Sequence, residues 1–376
     1  MAKTKKFSAG LTFLACLLAL IIGFVAGAFV YFIRNKPSIR DSYVSGDLSF
    51  HFMELGNKYT GDSIYIKAGD TDILIDAGSR ASSTDTTSKY INQFCEDGVL
   101  EYVIVTHSDK DHIEGFVGNG TYPSIFDRYQ CKVIIDFPKT NKKLLTDKGN
   151  DTLYGQYVKA RDAEVAEGAN HYTALECWNE SKEGAKKSYT VSEGVEMQIL
   201  YNYYYENYSG DENNYSVCVQ FVQGDKKFLL TGDLEGEGEE KLIEYNDLGK
   251  VDLFKAGHHG SGTSSSEELL EIIQPDIVCV TCVAGTYEYA DVKENTFPYQ
   301  ITIDKLSKYT EKIYVTTAGI INDNKETVDK EPLHGNIVVT SNRDGIKVKC
   351  SANDGVLLKD TKWFKENRVW KTGASA

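Results

Sequence analysis

Thr106-His107-Ser108-Asp109-Lys110-Asp111-His112 places two imidazoles and two carboxylates within six residues, directly after the apolar run Tyr102-Val103-Ile104-Val105. A strand ending at Thr106 delivers His107 and Asp109 to one side, because extended side chains alternate. A turn then brings in Asp111 and His112, and Ile113 to Val117 opens a helix whose positive end favours the Asp111 carboxylate. Nitrogen and oxygen donors at this density read as a metal site rather than a solvated loop.

Working outward, other apolar runs end in the same kind of residue. Ile73-Leu74-Ile75-Asp76-Ala77-Gly78 ends in a carboxylate, as does Phe228-Leu229-Leu230-Thr231-Gly232-Asp233. Val251 to Ala256 is followed by Gly257-His258-His259-Gly260-Ser261, a paired imidazole. A single strand-end Asp is commonly a helix cap. Several strand ends carrying Asp or His together are what a rigid scaffold displaying chemistry on its loops requires.

These stretches, with Gly61-Asp62-Ser63-Ile64 and Asn214-Tyr215-Ser216-Val217, resemble a metallo-β-lactamase-fold hydrolase, and within that superfamily the extracellular domain of ComEC-type competence proteins. The likeness spans roughly residues 48 to 345. The commonest superfamily motif has His where this chain has Asp109, and the Asp version is typical of the ComEC-like branch. The resemblance implies an α/β (α+β) fold, a four-layer αββα sandwich, here preceded by one N-terminal transmembrane helix. It also implies a metal-dependent phosphodiesterase or nuclease with two divalent ions, Zn or Mn, sharing a bridging hydroxide. His107 and Asp109 would belong to the first metal, Asp111, His112 and one His of the 258–259 pair to the second, and Asp233 would bridge them. Asp111, His112 and Asp233 thereby become the catalytic candidates. His258 is the preferred ligand of the pair because it follows its strand directly, leaving His259 to substrate. Asp76 is expected behind the ligands, accepting a proton from a ligand imidazole. The further His common in the superfamily has only His171 as a candidate, without a strand-end context; Asn214 or Ser216 would stand there instead. Replacing an imidazole by Asp109 favours Mn²⁺ relative to an all-nitrogen site.

Residues 11–33 carry no charge and span about 34 Å as a helix, enough to cross a hydrocarbon core of roughly 30 Å. Lys3, Lys5 and Lys6 precede this run and Arg34, Lys36 and Arg40 follow it. With positive charge at both ends the inside rule does not decide orientation; the basic leader resembles a signal sequence and favours the bulk of the chain extracytoplasmic, and apolar residues continuing to Ile33 favour an uncleaved single-pass anchor in the cell membrane over cleavage near Ala26-Gly27-Ala28. The expected organisation is a leader (1–10), an anchor (11–33), a linker (34–46), a hydrolase domain (47–350) and a C-terminal tail (351–376). One span cannot form a channel, so translocation of a polymer would need a separate channel protein.

The chain of 376 residues has a formal charge of −14, and residues 1–36 contain Lys and Arg but no Asp or Glu, so the remainder is more acidic still. No basic stretch suited to tracking a long polyanion is visible; Lys139 to Lys148 and Lys182 to Lys187 read as solvated faces. A bound metal ion would still let an acidic protein hold a phosphate. Two other readings stand beside the nuclease. One is an esterase on phosphorylcholine or another teichoic-acid-type cell-wall phosphodiester: Thr152-Leu153-Tyr154-Gly155 and Leu200-Tyr201-Asn202-Tyr203 resemble phosphorylcholine esterases, and Tyr201 to Tyr205 offers cation–π contacts when it is not simply a two-faced aromatic strand. The other is a non-catalytic surface binding module.

Eight cysteines at irregular spacing, one of them inside residues 11–33, do not suggest a disulfide framework. Cys279-Val280-Thr281-Cys282 reads as buried thiols within a strand, and His51 and His334 as structural. Short strands are expected over 48–52, 63–67 and 72–75, a hairpin over 217–231, and a closing hairpin over 337–348. Helices are expected over 86–98, 151–167 and 237–245, with residues 119–200 otherwise irregular.

Overall fold

The computed structural model describes residues 48–371. In it β1 (Leu48–Phe52), β2 (Ile64–Ala68) and β3 (Thr71–Ile75) form an antiparallel meander. β4 (Val99–Ile104), β5 (Gln130–Asp136) and β6 (Asn170–Thr173) extend it in parallel. In the second sheet β7 (Ser188–Ser192), β8 (Val195–Ile199), β9 (Val219–Gln223) and β10 (Lys226–Leu230) run antiparallel. β11 (Leu253–Lys255), β12 (Ile277–Ala284) and β13 (Ile313–Ile321) then follow in parallel, and β14 (Thr327–Pro332) caps the edge. The closing hairpin, β15 (Ile337–Asn342) with β16 (Gly345–Cys350), returns to the first sheet beside β1. The two orders are β16-β15-β1-β2-β3-β4-β5-β6 and β14-β13-β12-β11-β10-β9-β8-β7.

Side-chain alternation explains how the sheets stack. Phe50 points between them, with its ring 5.3 Å from Phe221 and 4.9 Å from Phe228. His51 points the other way, where Tyr90 of α1 (Ser83–Ile91) covers it. On β10, Phe228 faces the first sheet, while Leu229 joins a core with Leu242 of α5 (Gly236–Tyr245), Leu270 of α6 (Glu267–Ile273) and Ile303 of α7 (Gln300–Leu306). Fully burying one such aromatic or aliphatic side chain contributes roughly 1.5–3 kcal/mol. Between them in the chain come α2 (Lys110–Val117), α3 (Leu153–Glu167) and α4 (Ala174–Asn179), and α8 (Lys362–Asn367) is the last helix described.

Several expectations change here. The stretch 119–200 is ordered: β5 to β8 and α4 lie inside it, invisible to a search for one period because β6 is four residues long and the others alternate only partly. Residues 351–371, expected as a tail, pack on the domain. Leu358, Trp363 and Phe364 are buried in the same core as Leu242, and Arg368 stacks on Trp363 while donating to Thr296 O at 2.8 Å. Tyr201 to Tyr205 is no strand: the Asn202 side chain accepts from Tyr204 N and bends Tyr203–Tyr205 into a 3-10 turn. Residues 11–33 lie outside the described residues, and among the described residues no helix is long and apolar enough to cross a membrane.

Cys95, Cys131, Cys177, Cys218, Cys279, Cys282 and Cys350 are unpaired and buried. His51 and His334 are structural. His51 bonds Ser49 and Tyr90, and His334 bonds the backbone of Val315 and Val356.

Helix α2 approaches the loop after β3 closely enough for Ala77 N to donate to His112 O at 3.0 Å. That approach needs Gly115, where an added Cβ would lie 2.0 Å from Ala77 O. Gly115→Ala is therefore expected to destabilise by about 1–3 kcal/mol through forced displacement of the helix, measured as a lower chemical-denaturation midpoint at constant m-value.

Candidate metal centre

Parallel strands β3, β4, β10 and β11 all end on one side, and open α/β sheets bind ligands beyond the carboxyl ends of such strands. Asp76 follows β3 in the left-handed region at φ 57°. Its carboxylate accepts from Thr106 N at 2.8 Å, Thr106 Oγ1 at 2.7 Å and His112 Nδ1 at 2.7 Å, which holds this conformation in place. Asp76, expected to accept a proton from a ligand imidazole, here accepts from the His112 ring.

Those bonds also determine how the rings present themselves. His112 donates Nδ1–H to Asp76, so its Nε2 points inward, 3.1 Å from Asp233 Oδ2. His259 donates Nδ1–H to Thr281 O at 2.8 Å, so its Nε2 also points inward, 3.2 Å from Asp111 Oδ2 and 3.1 Å from Asp233 Oδ2. Thr106 gives its one hydroxyl proton to Asp76 and accepts from His107 Nδ1 at 3.1 Å, which leaves His107 Nε2 bare. The Nε2 atoms of His107 and His259 are buried without a hydrogen-bond partner. Buried polar atoms are rarely left so. Three imidazoles turning their Nε2 atoms towards carboxylates form a donor set that fits a divalent cation.

Donor atoms of Asp111, His112, Asp233 and His259 all lie within 4.8 Å of one another. Of the histidine pair 258–259, it is His259 that joins this group. His258, expected as the ligand, instead bonds Thr263 Oγ1 at 3.1 Å and lies 3.4 Å from Glu235. Strand alternation stops at Lys255. Both histidines adopt left-handed backbone, φ 46° and 54°, and this turn swings the second ring inward. Asp109 stands at the N-cap position of α2 without a side-chain cap bond, its carboxylate 3.7 Å from His107 Nε2 and 2.7 Å from Lys142 Nζ. Ser216 stands beside the site, its Oγ accepting from Asp233 N at 3.1 Å and lying 3.5 Å from His107 Nδ1. Asn214 is turned to the backbone, accepting from Glu235 N at 3.2 Å. His171 bonds Asp136 on β5 at 2.8 Å and is taken up there.

The charges balance through two residues to which the sequence assigned no role. Lys255, fully buried at the end of β11, lies 2.5 Å from Asp62 Oδ2 and 3.3 Å from Asp233 Oδ1. Asp62 in turn reaches His259 Nδ1 at 3.2 Å. A lysine inside an apolar run of a parallel strand was the available signal, since a buried ammonium must be paired. Burial alone would raise the pKa of Asp233, but His259, His112 and Lys255 outweigh it and hold it well below the usual carboxylate range. Burial likewise opposes charge on His112 and His259, yet the Asp233 carboxylate and its neighbours push both well above the ordinary imidazole value. Burial and the adjacent His112 hold His107 below it.

Two sheets with this strand order, and this constellation at their strand ends, define a mixed α/β metallo-β-lactamase fold; the chain matches the metallo-beta-lactamase superfamily model over residues 209–281. Within that class it resembles ComEC-type competence proteins. It is 26% identical over 233 residues to competence protein ComA of Neisseria gonorrhoeae, covering 61% of this chain and 27% of that one. It is 32% identical over 108 residues to recombination protein 2 of Haemophilus influenzae, covering 29% and 13%. To ComE operon protein 3 of Bacillus subtilis it is 32% identical over 107 residues, covering 28% and 13%. The chain thus spans about a quarter or less of the length of these relatives.

Asp76→Asn is expected to weaken divalent metal binding about 10–100-fold, because it removes the acceptor that fixes the His112 tautomer. His258→Ala, which alters a ring outside the cluster, should leave affinity within a few-fold of wild type. Competition with a chromogenic chelator measures both.

Proposed function

We propose that the protein is a metal-dependent phosphodiesterase, anchored in the cell membrane through residues 11–33 with residues 48–371 extracytoplasmic. The observation that carries the reading is the convergence of Asp111, His112, Asp233 and His259 with two buried, bare imidazole nitrogens. Asp111, His112, Asp233 and His259 would hold the ion, with His107 and Asp109 beside it. A divalent ion there, Zn or Mn, supplies Lewis acidity and brings the pKa of bound water from 15.7 towards about 7. The chain's own residues orient and exclude. Asp76 and Thr281 fix the two ring tautomers, Lys255 fixes Asp233, and burial of His107, His112 and His259 keeps bulk water from competing. Nucleic acid is the favoured substrate class, because two of the relatives are named for competence and recombination.

Phosphorylcholine-type cell-wall esters are the second reading. Tyr201 packs tilted against Trp178 and edge to face against Tyr245, and the Lys187 ammonium lies 3.2 Å from the Trp178 ring centre, so the Trp178 face already accommodates a cation. The test is turnover of a chromogenic phosphodiester by the full chain with Mn²⁺ or Zn²⁺ and a chelated control, followed by competition between oligonucleotide and phosphorylcholine esters. Metal-dependent cleavage inhibited by oligonucleotide supports the reading. Bound metal without cleavage would turn it into a binding module.

A further inference from the structure

We propose that Lys142 is the second cation of this centre, standing where a first metal would be expected, so that the site holds one divalent ion and meets the substrate's anionic oxygen with an ammonium. The inference rests on the phosphodiesterase reading for its substrate and on geometry for the rest. At the expected first position the donors are few. His107 Nε2 and Asp109 Oδ2 are 3.7 Å apart, His171 is committed to Asp136, and the Ser216 hydroxyl accepts from Asp233 N. Asp109 is itself engaged, its Oδ1 lying 2.7 Å from Lys142 Nζ. A metal ligated there would have to compete with an ammonium already seated on one of its carboxylates.

Charge attraction alone does not place Lys142, because the chain beside it is clamped. The buried Glu212 carboxylate accepts from Asn141 N at 2.7 Å and from Ser108 Oγ at 2.6 Å. Ser108 Oγ also lies 2.8 Å from Thr140 Oγ1, while Asn141 Nδ2 donates to Ser209 O at 3.0 Å and Tyr215 OH donates to Asn141 Oδ1 at 3.2 Å. The residue before Lys142 and the residue before Asp109 therefore share one carboxylate, which sets the spacing between ammonium and carboxylate. The Lys142 side chain is 44% exposed while its Nζ lies against Asp109, so its ammonium stays open to a solvent-side ligand. An ammonium has three donors and no acceptor. Bridging Asp109 and a phosphoryl oxygen uses two of them, with no bond made or broken at nitrogen.

Metal content of the full chain after saturation with Mn²⁺ or Zn²⁺ and gel filtration should be one equivalent, in wild type and in Lys142→Ala alike. Lys142→Ala should raise KM for a small chromogenic phosphodiester roughly tenfold to a hundredfold, as loss of a charge-assisted hydrogen bond does, at unchanged melting temperature, and Lys142→Arg should recover most of it. Weaker binding of inorganic phosphate by Lys142→Ala gives the same reading without turnover. Two tightly held equivalents in wild type, or wild-type KM and phosphate affinity in Lys142→Ala, would overturn the proposal. If wild type holds one equivalent yet cleaves no phosphodiester, the functional reading fails, and the phosphate measurement still decides the role of Lys142.

Discussion

Asp233→Asn is expected to leave a folded chain whose phosphodiester turnover falls at least about a thousandfold, roughly 4 kcal/mol of transition-state stabilisation. Asp233 Oδ2 is the one carboxylate oxygen within 3.1 Å of both His112 Nε2 and His259 Nε2, while Oδ1 faces Lys255. An amide keeps the shape but removes the charge that both imidazoles and the ammonium face. It also leaves Lys255 with Asp62 alone, so a small loss of stability should accompany the large loss of activity. His112→Ala should match it, since His112 links Asp76 to Asp233. Metal content, turnover and far-UV circular dichroism on the same samples separate the effects. Wild-type activity in both variants would remove any metal-based mechanism from this site.

Lys255→Met is expected to cost about 3–5 kcal/mol of stability, because it leaves the buried carboxylates of Asp62 and Asp233 without their cation. The double variant Lys255→Met/Asp62→Asn should recover part of the loss by removing one of the stranded charges. Urea denaturation reads both, the midpoint of the double variant lying between those of wild type and the single variant. A single variant as stable as wild type would mean that the lysine contributes nothing to the fold. The recovery isolates charge from volume, since methionine fills nearly the space of the lysine stem.

Much of the fold could be read from the sequence because its strands are short apolar runs bounded by turn residues: β1 to β3, the β9–β10 hairpin and the closing β15–β16 hairpin all lie near their expected places. His107, Asp111, His112 and Asp233 could be read as a site because each follows an apolar run that only a strand explains. What escaped was set by tertiary context. The left-handed turn at His258 and His259 reverses which ring faces inward, and no residue in Gly257-His258-His259-Gly260 announces that a non-glycine backbone will turn that way. Asp62 and Lys255 lie far apart in sequence and acquire meaning only as a buried pair. Lys142 belongs to a run of lysines that reads as solvated surface, and the clamp through Glu212 that singles it out joins three separate loops.

The seven buried, unpaired cysteines carry a practical consequence. Burial pushes all of these thiols above the ordinary cysteine value, so the nucleophilic thiolate is scarce in the native state. They are distributed over both sheets and beside them, with Cys131 on β5, Cys218 just before β9, Cys279 and Cys282 on β12, Cys350 on β16 and Cys177 in α4. An alkylating reagent therefore encounters them only when the chain opens, and the order in which peptides become modified would chart which part of the sandwich breathes first. The chain comes with its own set of built-in opening reporters, and no residue has to be introduced to use them.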